Sequence, residues 1–175
     1  MRRNDRAVVE QERILAMVKK CSVCSLAFAG GAFPYVIPLN FGEKAADGKT
    51  VLYFHGAGPP LSQYVSEFPY YHGAGEGIKF ERLREDNRVA FSMYATEELV
   101  LKEPACASTM LYESVCGTGR AFVVEGTEEK TEALTAIMRH YDKNKTEFEF
   151  GIKAVEKTTV IRLEVEEMTG KTNRW

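Results

Sequence analysis

The sequence predicts a mainly β, α+β protein: a small antiparallel barrel with helices packed outside it. Three observations lead there. Segments of strand-like alternation follow one another, with no strand–helix–strand rhythm of the parallel kind. Gly117 and Gly119 interrupt the longest such segment, where a barrel strand must bend. The chain has 175 residues, 45% of them apolar, which suits one domain (1–175) with a real core.

Arg6 to Lys20 reads as a helix. Val8, Val9, Ile14, Leu15 and Val18 give its apolar stripe, Asn4 or Asp5 can cap it, and Lys19 and Lys20 suit its negative end. Val23 to Ala29 reads as a strand, and Gly30-Gly31 as a hairpin turn. Residues 33–41 alternate clearly. Phe33, Tyr35, Ile37, Leu39 and Phe41 form one face; Pro34, Val36, Pro38 and Asn40 form the other. Proline cannot donate to a ladder, so this strand must be an edge or lie against something other than a strand, such as a flat ligand.

Asp47-Gly48 marks a turn into a strand over 51–55, with Val51, Tyr53 and His55 on one face. Residues 56–77 are rich in glycine and proline. A short helix over 78–85 points Phe80 and Leu83 inward, and a strand over 88–94 alternates Val89, Phe91 and Met93. Residues 95–108 read as a loop and 110–124 as a long strand. Thr127 then caps a helix whose stripe is Ala133, Leu134, Ile137, Met138 and Tyr141. Residues 142–157 are polar and ambiguous, and 159–167 close with Ile161, Leu163 and Val165 on one face of a strand. The count is about six strands and three helices.

Charge excludes some functions. There are 23 basic and 25 acidic residues, a net charge of −2, so no general nucleic-acid binder is expected. The uncharged run from Cys21 to Gly42 is long enough to span a bilayer. Its Pro34, Pro38, Gly30, Gly31 and Asn40 suit strands and turns instead, and no membrane partner is expected. The N-terminus lacks an apolar signal core, which points to a cytoplasmic protein. Cys21-x-x-Cys24 is half of a zinc spacing with no second half, so Cys21, Cys24, Cys106 and Cys116 read as reduced thiols. No metal site and no nucleophile elbow is present.

A near-repeat stands out. Tyr53-Phe54-His55-Gly56-Ala57-Gly58 returns as Tyr70-Tyr71-His72-Gly73-Ala74-Gly75. A local duplication explains it, with 59–74, bearing Pro59, Pro60 and Pro69, as an inserted loop. Each copy sets small residues, which allow a close approach to main-chain N–H groups, beside a titratable ring. The second copy runs through Gly75-Glu76-Gly77-Ile78-Lys79 into a helix, a reasonable phosphate site.

In order along the chain come Met1-Arg2-Arg3-x-x-Arg6, Pro34-Tyr35-Val36-Ile37-Pro38-Leu39-Asn40-Phe41 and Leu52-Tyr53-Phe54-His55-Gly56-Ala57. Gly77-x-Lys79, Arg88-Val89-x-Phe91, Tyr112-x-Ser114-Val115-x-Gly117-x-Gly119 and Thr169-Gly170-Lys171 follow. This ordered set resembles the flavin-binding split-barrel proteins related to pyridoxamine 5'-phosphate oxidase, and most of all their 5-nitroimidazole resistance (Nim) group. The resemblance covers nearly the whole chain. It implies a six-stranded antiparallel split β-barrel and a homodimer holding FMN, with FAD as the alternative, between its subunits. It also implies reduction of the nitro group of an imidazole drug to an amine.

By the same resemblance, Val36, Ile37, Pro38, Leu39 and Asn40 would lie along the flavin ring. His55, Gly56, Ala57 and Lys79 would hold its phosphate end, and Tyr112, Ser114 and Val115 would form a second flavin-contacting stretch. The departure from the pattern is the insertion. His55 and Lys79 are 24 positions apart, whereas His72 and Lys79 are 7 apart. Strand register favours His55 as the site's histidine and proton donor; spacing favours His72. A flavin-binding or redox-sensing protein without turnover, and a pyridoxamine 5'-phosphate oxidase-like oxidase, are the competing functions. The second would want more basic residues for another phosphate than the C-terminal segment from Lys171 supplies.

Overall fold

The computed structural model describes residues 4–46, 49–56, 77–145 and 147–173. Its centre is one antiparallel sheet. The strands are β1 (Ala7–Val8), β2 (Cys24–Phe28), β3 (Tyr35–Leu39), β4 (Phe41–Ala46), β5 (Lys49–His55), β6 (Arg88–Val100), β7 (Thr109–Val124) and β8 (Val160–Thr172). The flanking helices are α1 (Gln11–Val18), α2 (Ile78–Glu85), α3 (Thr127–Tyr141) and α4 (Ile152–Lys157). Neighbouring strands run β3-β2-β6-β7-β8-β5-β4, with β1 added to β8. The antiparallel barrel architecture with outer helices is therefore present. Among the described residues its strands number eight rather than six, because β1 is added and the expected strand over 33–41 divides.

That division shapes the molecule. β3 pairs with β2 at one end of the sheet, and β4 pairs with β5 at the other. Only Asn40 separates them. One linking residue spans at most about 7 Å, so the sheet must curl until its two ends adjoin. β3 is an edge strand, as Pro38 within it requires. Tyr35, Ile37 and Leu39 pack half-buried against the core, and Phe41 is fully buried. Phe33 does not join this face: it precedes the strand and is 82% exposed.

The main core lies inside the curl and includes Leu26, Phe28, Phe41, Leu52, Phe54, Phe91, Val115 and Leu163. A second cluster forms under α3, from Val51, Tyr53, Val124, Ala133, Ile137 and Val160. β5 serves both, with alternate residues facing the barrel and the helix. α3 lies directly on β4 at Gly42, where a Cβ would overlap the backbone of Ala136 and Ile137.

Several local expectations change. α1 begins at Gln11, because Val8 is taken into β1 opposite Gly170 and Val9 is left exposed. β6 runs on to Val100, so much of the expected 95–108 loop is strand, with a register irregularity after Ala95. Gly126, in extended conformation, is the residue before α3, and Thr127 is its first helical residue rather than its cap. The buried stripe of α3 is Ala133, Ile137 and His140, while Met138 and Tyr141 are exposed. The polar segment 142–157 contains α4. The Asp47-Gly48 turn lies outside the described residues.

Candidate functional site

β5 ends at His55, whose side chain is exposed. The next residue, Gly56, is buried, and its N–H donates to the Thr159 carbonyl at 2.8 Å. Here the first turn of α2 arrives. A Cβ on Gly56 would stand 3.2 Å from Lys79 Nζ, so the glycine leaves room for the ammonium. Beneath it the Phe80 ring centroid lies 5.0 Å from Nζ. No carboxylate among the described residues pairs with Lys79, and burial pulls its ammonium below the usual lysine range. A half-buried cation with no counter-charge among the described residues, beside a glycine and the start of a helix, can receive an anion.

The geometry of α2 is fixed at both ends. Gly77 has φ +110°, a left-handed value open to glycine, and its carbonyl accepts from the Phe80 and Glu81 amides. Phe80 and Leu83 anchor the helix in the core. Towards its far end Arg82 lies against Gly31, where a Cβ would overlap the guanidinium. α2 thus bridges from the end of β5 to the β2–β3 turn.

The outer face of the sheet offers a second surface. The register aligns Pro38, Ser25, Ser92, Cys116 and Thr169 across β3, β2, β6, β7 and β8. The row beside it holds Val36, Ala27, Ala90 and Thr118 before it reaches Glu167. A shallow groove of about 520 Å³ crosses this face, lined in part by Lys20, Ser22, Val23, Ser25, Ser92 and Tyr94. A separate cavity of about 460 Å³ opens at the His55 corner, between Leu134, Met138, Phe150 and Val155. The two share no lining residue.

A clamp stands where β3 passes into β4. The Tyr141 hydroxyl donates to the Ser22 carbonyl at 2.6 Å and accepts from the Phe41 amide at 3.1 Å. Asn40 Nδ2 lies 3.1 Å from the same hydroxyl and 3.3 Å from the Ser22 carbonyl. Next to it, His140 places Nε2 2.6 Å from the Cys21 carbonyl and Nδ1 2.6 Å from a Glu43 carboxylate oxygen. Both partners accept, so the ring is held as a donor at both nitrogens. Burial opposes this charge, but the bonds to Glu43 and Cys21 outweigh it, and the pKa of His140 is raised. A histidine near the end of this helix is expected from sequence to be solvated, yet the His140 side chain is 2% exposed.

The expected site residues are distributed as follows. Gly56 and Lys79 meet at the corner, while His55, the last residue of β5, lies on the lining of the separate cavity. Val36, Pro38 and Asn40 lie exposed on the outer side, while Ile37 and Leu39 turn towards the core. Tyr112 and Ser114 are half-buried on β7; Val115 is wholly buried, leaving only its backbone to face a ligand. Ala57, His72 and the insertion 59–74 lie outside the described residues. Sequence reasoning missed Tyr141 and Ser22, whose meeting spans 119 positions and leaves no local signal. The four cysteines are unpaired; burial pushes Cys21 up to about 11 and Cys24 up to about 12, so neither thiol is reactive. The described residues hold no metal-binding cluster of three or more ligands. None of their helices is long and apolar enough to cross a membrane.

Comparison with known proteins adds the following. The family model described as pyridoxamine 5'-phosphate oxidase matches residues 10–172. A crystal structure described as a candidate 5-nitroimidazole antibiotic resistance protein from Bacteroides thetaiotaomicron is 30% identical. That match covers 95% of this chain and 86% of the other, with a TM-score of 0.72. The flavocytochrome Anf3 of Azotobacter vinelandii is 20% identical over 100% of this chain and 72% of its own, with a TM-score of 0.72. A FAD and heme binding protein of Mycobacterium smegmatis is 18% identical over 97% and 75%, with a TM-score of 0.70. The last two share the fold. No curated protein matches.

Proposed function

Since the chain belongs to the pyridoxamine 5'-phosphate oxidase family, we propose that it is a homodimeric flavoprotein that reduces a small nitroheteroaromatic molecule. Lys79 carries this reading: a half-buried ammonium with no carboxylate partner among the described residues, set against Gly56. Those residues fit a phosphate. FMN is the preferred flavin, because its terminal phosphate carries two negative charges and a single cation corner suits it. When bound, the flavin supplies the hydride and electron chemistry.

The chain's own residues bind and orient. Lys79 and the first amides of α2 hold the phosphate. The uncharged outer face around Val36 and Pro38 receives a flat ring. His55, exposed beside the corner, hydrogen-bonds the phosphate or gives a proton to the reduced acceptor. The same face, with Val23 and Tyr94 exposed, suits cover by a second copy of the chain. The unpaired cysteines agree with a cytoplasmic setting.

The test is direct. The purified protein is reconstituted with FMN, sized by light scattering, reduced with NADH or NADPH without oxygen, and mixed with a nitroimidazole. A flavin spectrum on a dimer, bleached by the donor and restored by the nitro compound, is expected. A monomer that takes up no flavin sinks the proposal. Flavin that is bound and reduced yet not reoxidised by the nitro compound removes the reductase activity and leaves a flavin-binding protein.

A further inference from the structure

We infer that Tyr141, at the end of α3, is a positioning residue that orients Asn40 so that its Oδ1 accepts a hydrogen bond from a flavin donor group. This rests on the flavin reading above. On its own the Asn40 amide could face either way. Ser22 offers a carbonyl 3.3 Å away, and a carbonyl only accepts, so the nitrogen must face it. The Tyr141 hydroxyl already donates to that same carbonyl, so towards Asn40 it too can only accept, at 3.1 Å. Both contacts demand Nδ2. The amide is thereby locked, and Oδ1 is left pointing away from them with no donor among the described residues.

Position adds to this. Asn40 shares the exposed face of Val36 and Pro38 at the edge expected to meet the flavin ring. It is also the one residue between β3 and β4, and the Tyr141 hydroxyl holds the amide of Phe41 as well. One phenol therefore fixes the backbone of the crossover and the side chain on it. An acceptor held this way selects a ligand N–H or O–H. A flavin carries both: the imide N–H of the ring and the hydroxyls of the ribityl chain.

The test is a cycle of Tyr141→Phe, Asn40→Ala and the double variant, each reconstituted with FMN. Tyr141→Phe keeps the ring, which is 45% exposed, and removes the hydroxyl alone. Each single variant is expected to bind FMN about three- to tenfold more weakly. The double variant is expected to be no weaker than Asn40→Ala, because Tyr141 acts through Asn40. A purely structural role would instead give additive losses that follow the melting temperatures. Asn40→Asp keeps Oδ1 but turns a carboxylate on the Ser22 carbonyl, and should bind as weakly as Asn40→Ala. Lumiflavin, which has the imide and no ribityl chain, separates the two donors: a loss that persists assigns the imide, and a loss that vanishes assigns a hydroxyl. Equal FMN affinity in the parent and Tyr141→Phe, or additive losses, overturns the inference alone. A parent that binds neither FMN nor FAD overturns it together with the flavin reading.

Discussion

The Lys79 ammonium is half-buried and meets no carboxylate among the described residues. An ammonium pulled from water without a partner is held at a cost, and natural proteins keep such groups where a ligand supplies the missing charge. The direction of its shift sets the sign. With the folded pKa lowered, the cost is present below that value and fades as pH rises towards the ordinary lysine range. Lys79→Met keeps the apolar stem over Phe80 and removes the charge. Without flavin the variant should therefore melt no lower than the parent at pH 7. Its FMN affinity should fall by about ten- to a hundredfold, the worth of a charge-assisted hydrogen bond of roughly 1.5–3 kcal/mol. Riboflavin, which lacks the phosphate, should bind both proteins alike. Titrations by fluorescence quenching check this, and equal FMN affinities would refute the role. Lys79 was legible in the sequence from Gly77-x-Lys79 before a helix. Its nearness to Gly56 was legible only through the family resemblance, because 23 positions separate the two residues and no local periodicity spans them.

Among the elements, α3 does more than cover the sheet. Its periodicity predicts an apolar stripe through Met138 and Tyr141, yet the helix turns His140 inward. The reason is chemical: the Cys21 carbonyl and the Glu43 carboxylate both need a donor at that point, and a doubly protonated ring serves both. His140 joins α3, β4 and the α1–β2 junction through one ring. The charged groups around it are Glu43 on β4, Lys19 after α1, and Arg139, Asp142, Lys143 and Lys145 at the end of α3. A raised folded pKa gives stability that is complete below about 6.5 and is lost as pH climbs through the folded value. His140→Gln should lower the melting temperature by roughly 3–12 °C at pH 6, for about 1.5–3 kcal/mol. The gap should narrow by pH 9, and a gap that widens with pH would contradict the sign. The same limit on local reading explains β3 and β4. Alternation over 33–41 is real, but nothing in it says that Asn40 carries the chain from one end of the sheet to the other.

For the whole molecule, the barrel architecture and the ordered motifs were legible because strand alternation and turn residues are local properties. The strand order was not, since it arises from pairings such as Ser92 with Cys116. The expected insertion over 59–74 can be tested by its removal. Gly56 and Lys79 already meet, so a shorter connection can span them. Joining Ala57 directly to Gly75 should keep the fold and FMN binding, because loop length alone costs little entropy. A thermal melt and an FMN titration decide it. Binding lost in a folded protein would assign the site's histidine to the deleted His72 rather than to His55.

The passage through Asn40 also governs how the molecule can open. In a flat sheet either outer strand can peel away while the opposite one stays paired. Here the two outermost strands are consecutive lengths of one backbone, and the clamp on Phe41 grips both at their junction. Release of β3 from β2 loads β4 directly, so the seam should breathe as a single unit, with the amides of Ile37 and Lys44 exchanging with solvent at a common rate.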